Sequence, residues 1–159
     1  MAFIAVLLAL IPVVVQNQAL MIGGCSMLAK TTILKTIDAA YAARKKSDKA
    51  SLAKYWAKNA TYRLVGASLP PKLPSGARNA KQSVEALIDL FEFKKLKRLG
   101  ALVDGNNAAV HWRVTLSTKG GSPETTELYD FWEFSAKGKA KSLTQFADTA
   151  LLHRMVTEG

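Results

Sequence analysis

The sequence predicts an α+β domain: a curved antiparallel sheet rolled like a cone over about three helices, in the order ααβαββββ with a short C-terminal helix. Three observations predict it. Two stretches repeat apolar residues at the helical period: Ile33, Ile37, Ala40, Tyr41 with Arg44, and Val84, Leu87, Ile88 with Phe91. From about Lys94 onward the period changes to two, in four runs separated by turn residues. Each run has one apolar face, which must be buried against the helical stripes. A long, strongly twisted sheet over helices leaves a cone-shaped interior, a natural place for a small ligand.

Residues 1–28 differ from the rest, which reads as one domain over 29–159. Phe3 to Val15 is an apolar run broken only by Pro12, and Gln16-Asn17-Gln18 and a second apolar run to Cys25 follow it. Three readings compete. No basic residue precedes the run, which argues against a secretory signal. Ile22-Gly23-Gly24-Cys25 loosely matches a lipoprotein cleavage box, which would export the chain and lipid-anchor it through Cys25. A span is disfavoured, because the run is shorter than about 18 residues. In the third and favoured reading translation begins at Met27, directly before an amphipathic helix, and the protein is cytoplasmic. A membrane partner is expected only if the leader is real.

The first helix takes Thr31 or Thr32 as N-cap. Ser47-Asp48 stops it, and Asp48 caps a second helix bearing Leu52, Tyr55 and Trp56, with Asn59 as its breaker. Ala60 to Val65 reads as a short strand ending at Gly66. Ser68 to Arg78, with three prolines and a glycine, reads as a surface loop of the sort that borders pockets. Asn79 to Phe93 is the clearest helix. The strands then run from about Lys94 to Val103, Ala108 to Ser117, Glu124 to Phe134 and Ala140 to Phe146. Their turns are Asp104-Gly105-Asn106-Asn107, Lys119-Gly120-Gly121-Ser122 and Lys137-Gly138-Lys139. Thr149 to Val156 closes as a helix for which Asp148 is a suitable N-cap.

Composition excludes several functions. The formal net charge is +10, with basic clusters at Arg44-Lys45-Lys46, Lys94 to Arg98 and Lys137 to Lys141. No aromatic-interleaved basic patch or recognition-helix signature accompanies them, so they read as solvated faces, not a nucleic-acid site. One cysteine and two distant histidines, His111 and His153, leave no metal-ligand cluster. No glycine-rich phosphate loop is present, and no cofactor is implied.

The informative exception lies in Glu127 to Phe134. Leu128, Asp130, Trp132 and Phe134 share one strand face, so a carboxylate sits on an otherwise apolar surface. A buried acid is costly unless paired, hydrogen-bonded or protonated. With the Lys119–Ser122 turn centred near Gly121, Trp112 falls opposite Asp130. With the next turn near Lys137, Leu143 falls on its other side and Gln145 diagonal to it. Asp130, Trp112, Trp132, Leu143 and Gln145 would then surround one apolar cavity with two polar handles. A one-residue slip would turn these faces over. In the competing reading Asp130 is merely satisfied by a backbone amide, Arg63, Arg113 or a lysine.

The order of elements, the hairpin into Ala109-Val110-His111-Trp112-Arg113-Val114, and the ending Phe146-Ala147-Asp148-Thr149-Ala150-Leu151 resemble SnoaL-like proteins of the nuclear-transport-factor-2-like superfamily. The resemblance covers roughly residues 30–156. It implies the cone-shaped roll, and it leaves the activity open, since such folds host isomerases, cyclases, dehydratases and non-catalytic modules. Asp130, within Asp-Phe-Trp-Glu-Phe, matches the position where ketosteroid isomerases carry an acid that hydrogen-bonds the developing oxyanion. Their tyrosine partner would be near Tyr41, about one residue out of register. Their base is missing from Tyr62-Arg63-Leu64-Val65. Epoxide-hydrolase-type positions hold Trp112, Val114 and Gln145 instead of the needed Arg and Asp residues. For a cyclase-type acid, Asp130 is the first candidate and Asp148 the second, the latter competing with its role as a cap. Tyr41 and Tyr62 join Trp112, Trp132, Leu143 and Gln145 as candidate pocket residues.

Two functions are therefore carried forward. One is acid/base isomerase, cyclase or dehydratase-type catalysis on a small apolar or aromatic carbonyl compound. The other is a non-catalytic ligand-binding or dimerisation module. The resemblance also implies a homodimer through the sheet's outer face.

Overall fold

The computed structural model describes residues 27–71, 73 and 78–158. The leader readings, including the one for Cys25, lie outside them, as do residues 72 and 74–77 of the loop after Ser68. Helix α1 spans Lys30–Lys45, α2 Lys49–Leu52, α3 Ala80–Leu90 and α4 Thr149–Thr157. The strands are β1 Trp56–Val65, β2 Arg78–Asn79, β3 Glu92–Asp104, β4 Asn107–Ser117, β5 Glu124–Phe134 and β6 Ala140–Ala147. They form one sheet in the order β2-β1-β6-β5-β4-β3, antiparallel except for the parallel pair β1–β6. The predicted α+β roll is the observed architecture.

The sheet curls because its strands are irregular where it bends. β3 slips register against β4 between Phe93 and Lys95 and again between Arg98 and Gly100, and β5 slips against β6 between Glu133 and Phe134. Such bulges bend a strand and increase its twist, closing the sheet around α1 and α3. The concave face then buries Val110, Trp112, Val114, Leu128, Trp132 and Leu143 against Ile33, Ile37, Val84 and Leu87 of the helices.

Several boundaries differ from the sequence reading. α1 begins at Lys30 with Ala29 as its N-cap and no side-chain cap, so neither Thr31 nor Thr32 serves. α3 stops at Leu90, and Phe91 is already extended, with φ −129°. Phe91 and Phe93 are both buried, and leaving the helix lets both rings reach the core. The second helix ends in a 3-10 turn at Ala53–Tyr55, and Trp56 opens β1. Asn59 is therefore an exposed residue within the strand and not a breaker. Here the pairing of β1 with β6 overrides the local helical spacing of Leu52, Tyr55 and Trp56. The caps fare better: Asp48 accepts from the Ser51 amide, Asn79 from that of Gln82, and Asp148 from that of Leu151.

α4 closes the end of β1 by close approach. A Cβ placed on Gly66 would lie 2.0 Å from Thr149 Oγ1 and 2.6 Å from its Cβ. Thr149 is buried and β-branched, with little freedom to yield. Gly66→Ala is expected to destabilise the fold by roughly 1–3 kcal/mol, as overpacking does. Urea unfolding checks it, and an unchanged midpoint would show that α4 does not pack there.

Candidate functional site

Asp130 is 2 % exposed and lies at the centre of the concave face. Its two flanking strands place Val110 and Gln145 directly opposite it, while Trp112 pairs with Leu128 and Leu143 with Trp132. Both hairpins thus differ from the expected register by two residues. An even shift preserves the faces, so every predicted residue still points into the cone, with Trp112 and Leu143 now diagonal to the acid.

A continuous hydrogen-bonded group results. The Tyr41 hydroxyl of α1 donates to Asp130 Oδ2 at 2.5 Å. Gln145 Nε2 donates to Asp130 Oδ1 and also lies 2.8 Å from Tyr41 Oη. Tyr62 of β1 donates to Gln145 Oε1 at 2.9 Å. Tyr41, which the sequence places about one residue out of register, therefore reaches the acid. The offset is absorbed because a tyrosine hydroxyl stands well away from its backbone, at the end of a rigid ring. Four side chains from α1, β1, β5 and β6 meet here, although up to 104 residues separate them in sequence.

The surroundings are aromatic. Tyr41 packs on Trp112 with centroids 4.4 Å apart, and Trp132 stacks on Trp56 at 5.4 Å. Burial pushes the Asp130 carboxyl above the usual carboxylate range, while the hydrogen bonds from Tyr41 and Gln145 and the charge of Arg44 pull the other way. The Trp132 indole N–H exerts only a weak pull, since it makes no hydrogen bond of ordinary geometry. Burial, with the neighbouring Asp130 charge, also raises Tyr41 well above its usual value, and burial raises Tyr62.

Sequence reasoning passed over two residues. The sequence places Trp56 on the second helix, whereas it opens β1 and stands in the cone against Trp132. Arg44 was read as the end of the α1 stripe; it is 7 % exposed, with its guanidinium 4.6 Å from the Phe93 ring centroid. The signal for Arg44 was present, because a cation on a buried stripe is as anomalous as Asp130 on a buried strand face.

Two small cavities flank Arg44, each about 10 Å³. That is room for about one water. Tyr41, Trp56, Trp132 and Leu143 contribute to one, and Phe93, Leu128 and Gln145 to the other. Asp130 lines neither and stands behind Tyr41 and Gln145. The rings of Trp112 and Trp132 are buried in the same interior. Asp148 is engaged as the cap of α4, and His111 lies on the outer face, stacked on Tyr129 and bonded to Glu127. Arg113 also pairs with Glu127, so it is not a partner of Asp130.

A curved sheet rolled over helices in this way is the nuclear-transport-factor-2-like fold, and solved structures agree. A candidate isomerase from Rhodopseudomonas palustris is similar with a TM-score of 0.66 at 19% identity, over 83% of this chain and 100% of that one. An NTF2-like protein of unknown function from Burkholderia pseudomallei gives 0.67 at 20%, over 79% and 98%. A candidate SnoaL-like polyketide cyclase from Jannaschia gives 0.61 at 11%, over 81% and 94%. At these identities the likeness concerns the fold alone. The family profile of the SnoaL-like domain matches residues 37–143, and the chain belongs to that family. No curated protein matches it.

Proposed function

We propose that the cone, whose interior cavities each hold about one water, opens between its rings to bind a small, largely apolar carbonyl compound, and that Tyr41, backed by Asp130, hydrogen-bonds its oxygen. The observation that carries this is the 2.5 Å Tyr41–Asp130 contact inside an aromatic enclosure. While Asp130 is ionised, the Tyr41 hydroxyl donates to it. Once Asp130 holds a proton, the hydrogen bond reverses, and the Tyr41 O–H is released toward the ligand. Burial favours the protonated carboxyl, so the pair can present a neutral donor to a carbonyl that gains negative charge. Asp130 then acts through Tyr41, as a positioning residue and proton relay. Isomerase and cyclase descriptions of fold relatives are compatible with such chemistry.

The test is binding and turnover of small aromatic ketones by wild type, Tyr41→Phe and Asp130→Asn. Tyr41→Phe is expected to weaken binding about three- to tenfold, the worth of one hydrogen bond. If the compound is turned over, the rate falls about 100-fold or more, as for an oxyanion donor. Ketone binding unaffected by either substitution would overturn the proposal.

A second reading, binding without catalysis, is favoured by a specific observation. Tyr62-Arg63-Leu64-Val65 carries no acid where the related isomerases need a base, and the described side chains that act electrostatically on Asp130 include no second carboxylate. Bound ketone released unchanged, with no exchange of its α-protons into deuterated water, would support this reading.

The outer face supports a homodimer as part of the same proposal. Leu102 is 77 % and Tyr129 53 % exposed, beside exposed Phe131 and Phe146. Neighbouring exposed apolar side chains of this size mark an interaction surface. Light scattering is expected to give a dimer for wild type and a monomer for Phe131→Glu. A monomeric wild type at tens of micromolar would remove the dimer.

A further inference from the structure

We propose that Arg44 is the anchor for an anionic group, so that the carbonyl ligand of the cone is itself a small aromatic or apolar carboxylate. The inference rests on the cone being the ligand site. Arg44 sits in the last turn of α1, more than nine-tenths buried, and it borders both interior cavities. Its Nε is buried and makes no hydrogen bond. No ion pair joins Arg44 to Asp130 or to any other carboxylate among the described residues. Its contacts are instead the faces of two rings, Phe93 at 4.6 Å and Tyr41 at 5.8 Å from the guanidinium carbon.

A guanidinium keeps its charge in the interior and carries five donors in a planar fork that matches a carboxylate. Ring faces offset part of its lost hydration but cannot accept the fork's hydrogen bonds in the plane. The other buried charged side chain among the described residues is Asp130, whose oxygens already accept from Tyr41 and Gln145. With that acid protonated, the cone carries a net positive charge and a buried Nε–H without its acceptor. A ligand carboxylate supplies both missing partners in one group. Its apolar body would enter between Trp56, Trp132 and Leu143, which wall the one-water cavity beside Arg44, so these side chains must separate to admit it. The carbonyl oxygen would then meet Tyr41, which lines the same cavity.

The experiment is calorimetric titration of the full chain with benzoate, benzamide and acetophenone at neutral pH and fixed ionic strength. Benzoate and benzamide share a shape and differ in charge. Benzoate is expected to bind at least tenfold more tightly than benzamide. Arg44→Met, a replacement of similar volume that buried charges commonly tolerate, is expected to remove that preference. Arg44→Lys is expected to keep only part of it, since it retains the charge without the fork. Equal binding of benzoate and benzamide by wild type would overturn the proposal without needing a folded variant. A preference for benzoate that survives in Arg44→Met would overturn it too, assigning the effect to surface lysines. In either of those outcomes, acetophenone binding that depends on Tyr41 leaves the ketone-site reading standing. If none of the three compounds binds, both readings fall.

Discussion

Trp132→Ala is expected to lower stability by about 3–5 kcal/mol, the usual cost of emptying a buried aromatic site. For a domain whose whole stability is about 5–15 kcal/mol, that leaves a marginal fold. The reason is where the ring sits. Trp132 stacks on Trp56 and on Phe134, at 5.4 and 6.0 Å, and meets Tyr41 edge-on at 6.4 Å. It joins β5 to β1 and to α1 at once, and no single neighbour can collapse into its place. The midpoint of thermal unfolding should drop by roughly 10–20 °C. The void would be apolar and bordered by rings, so added indole should restore part of the loss; at ten times its Kd it returns about 1.4 kcal/mol. A loss below about 1 kcal/mol would mean that the ring is not packed in the folded protein.

Asp130→Asn is expected to change how stability depends on pH. Burial raises the carboxyl's pKa in the folded chain above its unfolded value of about 3.9. In that window the native state holds a proton that the unfolded chain has released. The contribution of Asp130 to stability is therefore fully present below about pH 3.9 and is lost as pH rises through the folded value. The slope for one proton cannot exceed about 1.4 kcal/mol per pH unit. Asp48, Glu92 and Glu127 run oppositely: hydrogen bonds from Ser51, Lys94 and Arg113 lower them, so their small surface contributions disappear in acid. They are common to both proteins and cancel in the comparison. The advantage of wild type over Asp130→Asn should be greatest near pH 4, shrink upward, and then level off. Denaturant midpoints measured at half-unit steps would decide it. A difference independent of pH would show that Asp130 titrates alike in the folded and unfolded chains.

Much of this was legible along the chain. The stripe Val84, Leu87, Ile88 announces α3, and the alternation through Val110, Trp112, Val114 and Leu116 announces the buried face of β4. Asp130 stood out because its neighbours at period two are apolar. Local patterns of this kind survive errors of turn length. Both hairpin registers were off by two residues, yet no face was inverted, because parity and not exact pairing determines which side chains point inward. Trp56 shows the limit. Its spacing from Leu52 and Tyr55 is helical, and only the parallel pairing with β6 puts it in a strand. A parallel partner more than 80 residues away leaves no mark on the local period.

By itself the sequence determined the class of fold, the buried acid and the face on which it lies, because periodicity and burial are properties of each segment alone. The tertiary structure decided what that acid touches. Tyr41, Tyr62 and Gln145 come from α1, β1 and β6, and their meeting depends on the curl of the sheet over the helix. It decided as well that Arg44 Nε ends inside the cone without an acceptor. A helical stripe says that a residue faces inward, but the partners waiting there are set by the closing of the sheet, which no single segment encodes.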